Sequence, residues 1–156
     1  MAPQRPSPTQ SDCTSLPDAI RWMGQHYINS GRAVSLCQIN NGLCDAFARD
    51  VIDLMGGETS SLFEMDAGNL SVNGEDDEWD QELLRKYWPA CRPTHGVTWQ
   101  QANEYGLPRH VWIVYNNRHY DAECPQGVDN IFALPLVRRA MQRIAADPPP
   151  LVAPPA

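Results

Sequence analysis

Apolar residues recur at helical spacing through the first half of the chain, alternate once around a tight-turn signal in the second half, and return to helical spacing near its end. Helices first and a hairpin later predict an α+β fold, because strands and helices that alternated regularly would instead read as α/β. At 156 residues the chain fits one domain, long enough to bury a core and too short for two comfortable ones. Residues 1–16 and 147–156 are rich in proline and read as disordered tails, which leaves 17–146 as the folded domain.

Pro17 and Asp18 open the first helix, since proline suits the first turn and a carboxylate suits the positive end of the helix. Ile20, Met23, Tyr27 and Ile28 form its apolar stripe, and Gly31 ends it. A loop containing Gln38, Asn40, Asn41 and Gly42 follows. A second helix then runs from about Leu43 to Met55, closed by Gly56-Gly57. Its wide apolar arc, from Phe47 through Val51 and Ile52 to Met55, predicts a central position. Residues 60–72 read as an irregular strand, 76–88 as a helix with an acidic start, and 89–109 as loop with one helical turn near Trp99 to Tyr105.

The clearest strand signal comes next. Residues 110–115 and 118–122 flank Asn116-Asn117, a pair that tolerates the positive φ of a two-residue hairpin turn. Residues 134–146 read as a terminal helix.

Composition narrows the function. With 12 Lys+Arg against 19 Asp+Glu, the net charge is −7, which disfavours nucleic acid and anionic membrane surfaces. No apolar run approaches the ~20 residues that span a bilayer, and the N-terminus has no secretory h-region. The 5 cysteines are odd in number and scattered, unlike a secreted disulfide framework, so a reducing cytoplasm is expected.

Four residue types then point to acyl chemistry. A cysteine attacks a carbonyl as its thiolate, which a helix N-terminus or a neighbouring cation favours, and Cys44 stands where the second helix begins. His110 heads the best strand. Hairpin pairing about residues 116 and 117 sets 112 opposite 121 and 110 opposite 123, so His110, Trp112, Asp121 and Glu123 share one face. A carboxylate there would fix the tautomer of His110 and stabilise its imidazolium. Gln38, in the loop leading to Cys44, offers a side-chain amide that could donate to an oxyanion beside the backbone N–H of the nucleophile.

Taken together, these residues resemble the papain-like cysteine peptidase superfamily. Gln38-Ile-Asn-Asn-Gly42-Leu-Cys44-Asp-Ala46-Phe47 follows its glutamine, then Gly-x-Cys, then a small residue and Phe, and the order Cys, His, Asp also matches. His110-Val-Trp-Ile through Tyr120-Asp121 is similar as well to the transglutaminase-like branch. The resemblance implies a compact papain-like fold, with the nucleophile helix packed on a small antiparallel sheet. It implies Cys44 as nucleophile, His110 as general base and acid, Asp121 as orienter and Gln38 as oxyanion donor. The substrate would be a protein or peptide, with no cofactor required. Asp45 stands where papain has Trp, and a carboxylate there would oppose the thiolate if it pointed inward.

Other readings stand beside this one. His119-Tyr-Asp121 is similar to the His-Tyr-Asp/Asn segment of the ovarian-tumour deubiquitinases. On the hairpin reading His119 faces away from His110, so only one of the two serves, and His110 has Asp121 on its own side. Glu123 rather than Asp121 as the orienter stays open. Cys91 and His95 are spaced like half a zinc site, with Cys37, Cys124 or His26 to complete it. An acyl transferase, or a papain-fold module that binds without turnover, are the remaining classes.

Overall fold

The computed structural model describes residues 15–74 and 78–150. Most of both expected tails therefore lies outside the described residues, as does the start of the helix expected at 76. The chain is α+β: among the described residues, six helices accompany one four-stranded antiparallel sheet.

Helix α1 spans Leu16–Asn29 and starts at Ser15, whose hydroxyl accepts from Asp18 N–H. A short helix, α2, occupies Leu36–Asn40 where a loop was expected. Ser35 caps it by accepting from Gln38 N–H at 3.1 Å. Helix α3 spans Cys44–Leu54, and unlike α1 and α2 it has no side-chain cap. Strand β1 spans Leu62–Asp66 and continues into a 3-10 turn over Ala67–Leu70. Helix α4 is confined to Gln81–Tyr87, because Asp80 caps it there, and α5 covers Trp99–Tyr105.

Strands β2 (Val111–Tyr115) and β3 (Arg118–Asp121) form the expected hairpin, paired Ile113↔Tyr120, Val114↔His119 and Tyr115↔Arg118. Asn116 and Asn117 take φ of 47° and 63°, the left-handed pair that a two-residue turn requires. The second strand stops at Asp121, one residue short of expectation. Ala122 and Glu123 turn the chain back into β4, Cys124–Val128, which pairs with β3. Pro125 and Gly127 hide that strand from a pattern search. Helix α6 closes the fold at Pro135–Ala146.

The sheet order is β1-β2-β3-β4, and apolar layers cover both faces. Ile113 and Tyr120 pack with Ile20 and Tyr27 of α1 and with Phe47 and Val51 of α3. Trp112 and Val114 pack on the other face with Trp79, Leu84, Phe132 and, from α6, Met141 and Ile144. Central strands buried on both faces explain the unbroken apolar run of β2. Among the described residues no helix is long and apolar enough to cross a membrane.

Candidate functional site

Packing of α3 across the sheet brings its first residue, Cys44, to the end of β2, where His110 leads into the strand. The His110 carbonyl accepts from Ala67 N–H at 2.9 Å, which extends the β1–β2 pairing and fixes the backbone there. The imidazole is buried and stacks on Trp112, with centroids 5.8 Å apart. Its Nε2 lies 3.0 Å from Oδ2 of Asp121, itself buried at the end of β3.

With Nε2 committed to Asp121, the interaction between His110 and the Cys44 thiol falls to Nδ1. That nitrogen has no partner at full hydrogen-bond geometry, so the thiol contact is a loose one.

Electrostatics at this junction favour charge separation. Burial alone would raise the Cys44 pKa. The His110 hydrogen bond, the Val111 and Asp45 backbone N–H groups and the His110 charge outweigh it, and the thiol ends below its ordinary value. Burial alone would lower the pKa of His110. Hydrogen bonds with Asp121 and Cys44, together with their charges, instead lift it from 6.5 to about 9. An uncapped helix start adds to the effect, because the first N–H groups of α3 have neither an intrahelical acceptor nor a capping oxygen. The Asp45 side chain is exposed, so its carboxylate points to solvent while its backbone N–H serves the sulfur. Cys91 and Cys124 are buried and pushed up to about 11, which makes them poor nucleophiles.

A cleft of about 550 Å³ opens at Cys44, walled by Asn40, Asn41, Gly42, Asp45, Arg109 and His110 among others. Cys44 is half-buried and lines that cleft.

Two expectations are corrected. Gln38 does not reach the cleft: it is exposed, and its Oε1 accepts from Val34 N–H at 2.6 Å, just ahead of α2. Ser35-x-x-Gln38 is thus a helix-start signature of Ser with Gln three residues on, which the sequence already carried. His119 does not face away from His110. Residues 119 and 121 are two apart on one strand and share a face, so His119 lies beside Trp112, whose indole Nε1 donates to His119 Nδ1 at 3.0 Å. Trp88 meets the His119 ring edge-to-face at 4.9 Å. Fully buried and with its acceptor nitrogen occupied, His119 is pushed down to about 4 by burial, against a weaker upward pull from Asp129. It is a neutral core residue.

Glu123, the alternative orienter, is engaged elsewhere. Arg139 of α6 grips its carboxylate through two nitrogens, at 3.1 and 2.9 Å, and Asn40 Nδ2 donates to it at 2.8 Å. Its backbone N–H donates to Asp121 Oδ1 at 3.0 Å. Asn40 is buried on the cleft wall, and neither its place there nor the contact of Arg139 with Glu123 was foreseen. Its signal was α2 itself, which gives Gln38 and Asn40 different directions around one helical turn.

Cys91 does not pair with His95: its thiol lies 3.4 Å from Ile131 N and 3.7 Å from the Asp129 carbonyl oxygen. Among the described residues no three His, Cys, Asp or Glu side chains gather as a metal-holding group. Compared with family models, curated proteins and solved structures, the chain matches none of them.

Proposed function

We propose that this chain is a papain-like cysteine hydrolase that opens an amide, isopeptide or thioester carbonyl of a protein or peptide through an acyl-enzyme on Cys44. The observation that carries the proposal is the setting of His110. It is a buried imidazole held through Nε2 by a buried carboxylate, with its other nitrogen left to a half-buried thiol at an uncapped helix start. A merely structural histidine needs no such thiol, and a merely structural thiol has its pKa raised by burial, as at Cys91 and Cys124.

On this reading the Cys44 thiolate forms a C–S bond to the carbonyl carbon while the carbonyl π pair moves onto oxygen. The anion collapses, the bond to the leaving amine breaks, and the His110 imidazolium supplies that amine with a proton. Water then attacks the thioester and gives His110 its proton. The C–S bond breaks, releasing the acid and restoring the thiolate. Asp121 holds the tautomer and stabilises the imidazolium. An amine in place of water would make the same acyl-enzyme a transferase, the transglutaminase-like alternative. A net charge of −7 supports a neutral or basic partner rather than nucleic acid, and a free nucleophilic thiol suits a reducing cytoplasm.

Trapping the acyl-enzyme tests the proposal. Mixed with p-nitrophenyl acetate, the protein should release a stoichiometric burst of p-nitrophenolate and carry a thioester acetyl on Cys44, both lost in Cys44→Ser. No burst, or acetyl carried by the protein with no dependence on Cys44, would favour a binding module without turnover.

A further inference from the structure

We infer that Glu123 and Arg139 form a positioning clamp that aims the Asn40 amide at the site where negative charge develops on an attacked carbonyl oxygen. The inference rests on the acyl-enzyme chemistry proposed above and adds residues from two other elements to it.

Asn40 ends α2 with its side chain buried at 2 % exposure, yet it lines the same cleft as Cys44 and His110. A primary amide nitrogen carries two hydrogens. Asn40 gives one to Glu123 Oε2, which leaves the other for a group in the cleft. The receiving carboxylate has little freedom, because Arg139 grips both its oxygens in the planar fork that guanidinium and carboxylate share. Arg139 in turn sits on a helix anchored by Val137, Met141 and Ile144 in the core beyond the sheet.

An ion pair as exposed as this one, 34 % at Arg139 and 16 % at Glu123, typically contributes only ~0–1 kcal/mol to folding. Stability therefore gives little reason for it. A third partner distinguishes it: a buried amide on the wall beside the thiol. The same Glu123 also steadies the triad, since its backbone N–H holds the Asp121 oxygen that His110 does not use. With the Cys44 N–H, which as the first helical residue has no intrahelical acceptor, Asn40 supplies a second donor of the kind an oxyanion requires. Gln38 cannot take this role, being exposed and turned towards Val34.

Two rates on the full chain separate positioning from folding. Iodoacetamide alkylates the thiolate by displacing iodide from saturated carbon, so no charge builds on a carbonyl oxygen. Acylation by p-nitrophenyl acetate makes a C–S bond at the carbonyl, places the π pair on oxygen, and then expels p-nitrophenolate. Asn40→Ala should slow acylation on the order of 100-fold while alkylation at pH 6 stays within about two-fold. Arg139→Met should slow acylation about ten-fold, with part of the loss recovered in Arg139→Lys.

If both rates fall together in Asn40→Ala and Arg139→Met, the residues merely hold the fold and the inference is overturned. Acylation that is untouched in these variants overturns it equally. A wild-type thiol that fails to alkylate below pH 7 would instead remove the acyl-enzyme proposal, and the clamp with it. That outcome is distinct, because it needs no variant.

Discussion

Two histidines nine residues apart, both buried on one sheet face, are driven in opposite directions by what surrounds them. His110 meets a carboxylate and a thiol and is lifted to about 9; His119 meets Trp112 and Trp88 and is pushed down to about 4. The consequences for stability have opposite signs. Between pH 6.5 and about 4 the unfolded chain binds a proton at residue 119 that the folded chain refuses, so His119 makes stability fall as pH falls. Between 6.5 and about 9 the folded chain keeps a proton on His110 that the unfolded chain releases, so that contribution is lost as pH rises. The acid limb is worth about 3 kcal/mol at about 1.4 kcal/mol per pKa unit. His119→Gln keeps an acceptor for the Trp112 indole and removes the titration. Its urea midpoint should therefore lose most of the slope between pH 6.5 and 4 that the wild type shows. An unchanged slope would mean that the acid limb belongs to other groups.

At the scale of elements, α3 and the β3–β4 turn set the site. Uncapped, α3 leaves the Asp45 N–H to the sulfur, while the turn at Ala122-Glu123 brings Asp121 and Glu123 together. Gly127 lets β4 return close to β3. Its φ is +74°, and a Cβ there would stand 2.5 Å from the Tyr120 ring. Gly127→Ala should cost about 1–3 kcal/mol in urea unfolding, from strained backbone plus the displaced ring. By moving the turn it should also slow Cys44 alkylation. Wild-type stability in this variant would show that β4 shifts freely.

The sequence made α1, α3, α6 and the β2–β3 hairpin legible, because each combines a periodic apolar pattern with a proline, a glycine or the Asn116-Asn117 turn, while α5 showed only as one helical turn in a loop. It hid α2, whose five residues are too few for a periodicity to register, and β4, interrupted by Pro125 and Gly127. The first of them holds both Gln38, which was misplaced, and Asn40, which was missed, while the second hides the turn that presents Glu123. Gln38 was assigned to the cleft because six-residue spacing from Cys44 was read along a loop, whereas a turn of helix gives the inward position to Asn40.

Across the whole molecule, the sheet divides two cores and the site lies where they meet. Cys44 arrives on a helix packed against the Ile113 face, while His110 stacks on Trp112 of the opposite face. The pairing of Cys44 with His110 was legible from chain order, a helix start and a strand start. The reach of α6 to Glu123 was not, since an arginine on an amphipathic terminal helix reads as a solvated charge until the turn that receives it is placed. This arrangement makes the approach of Cys44 to His110 a property of the assembled fold. The proposed acyl chemistry requires that Cys44 and His110 stand as thiolate and imidazolium near neutral pH.

Rates of Cys44 alkylation by iodoacetamide against pH, for the wild type and His110→Ala, read that ionisation out. Wild-type reaction should persist well below pH 7, and His110→Ala should react appreciably only as pH approaches the ordinary thiol value of about 8.5. Superimposable profiles, both rising only near pH 8 to 9, would rule out the ion pair and leave Cys44 a structural thiol.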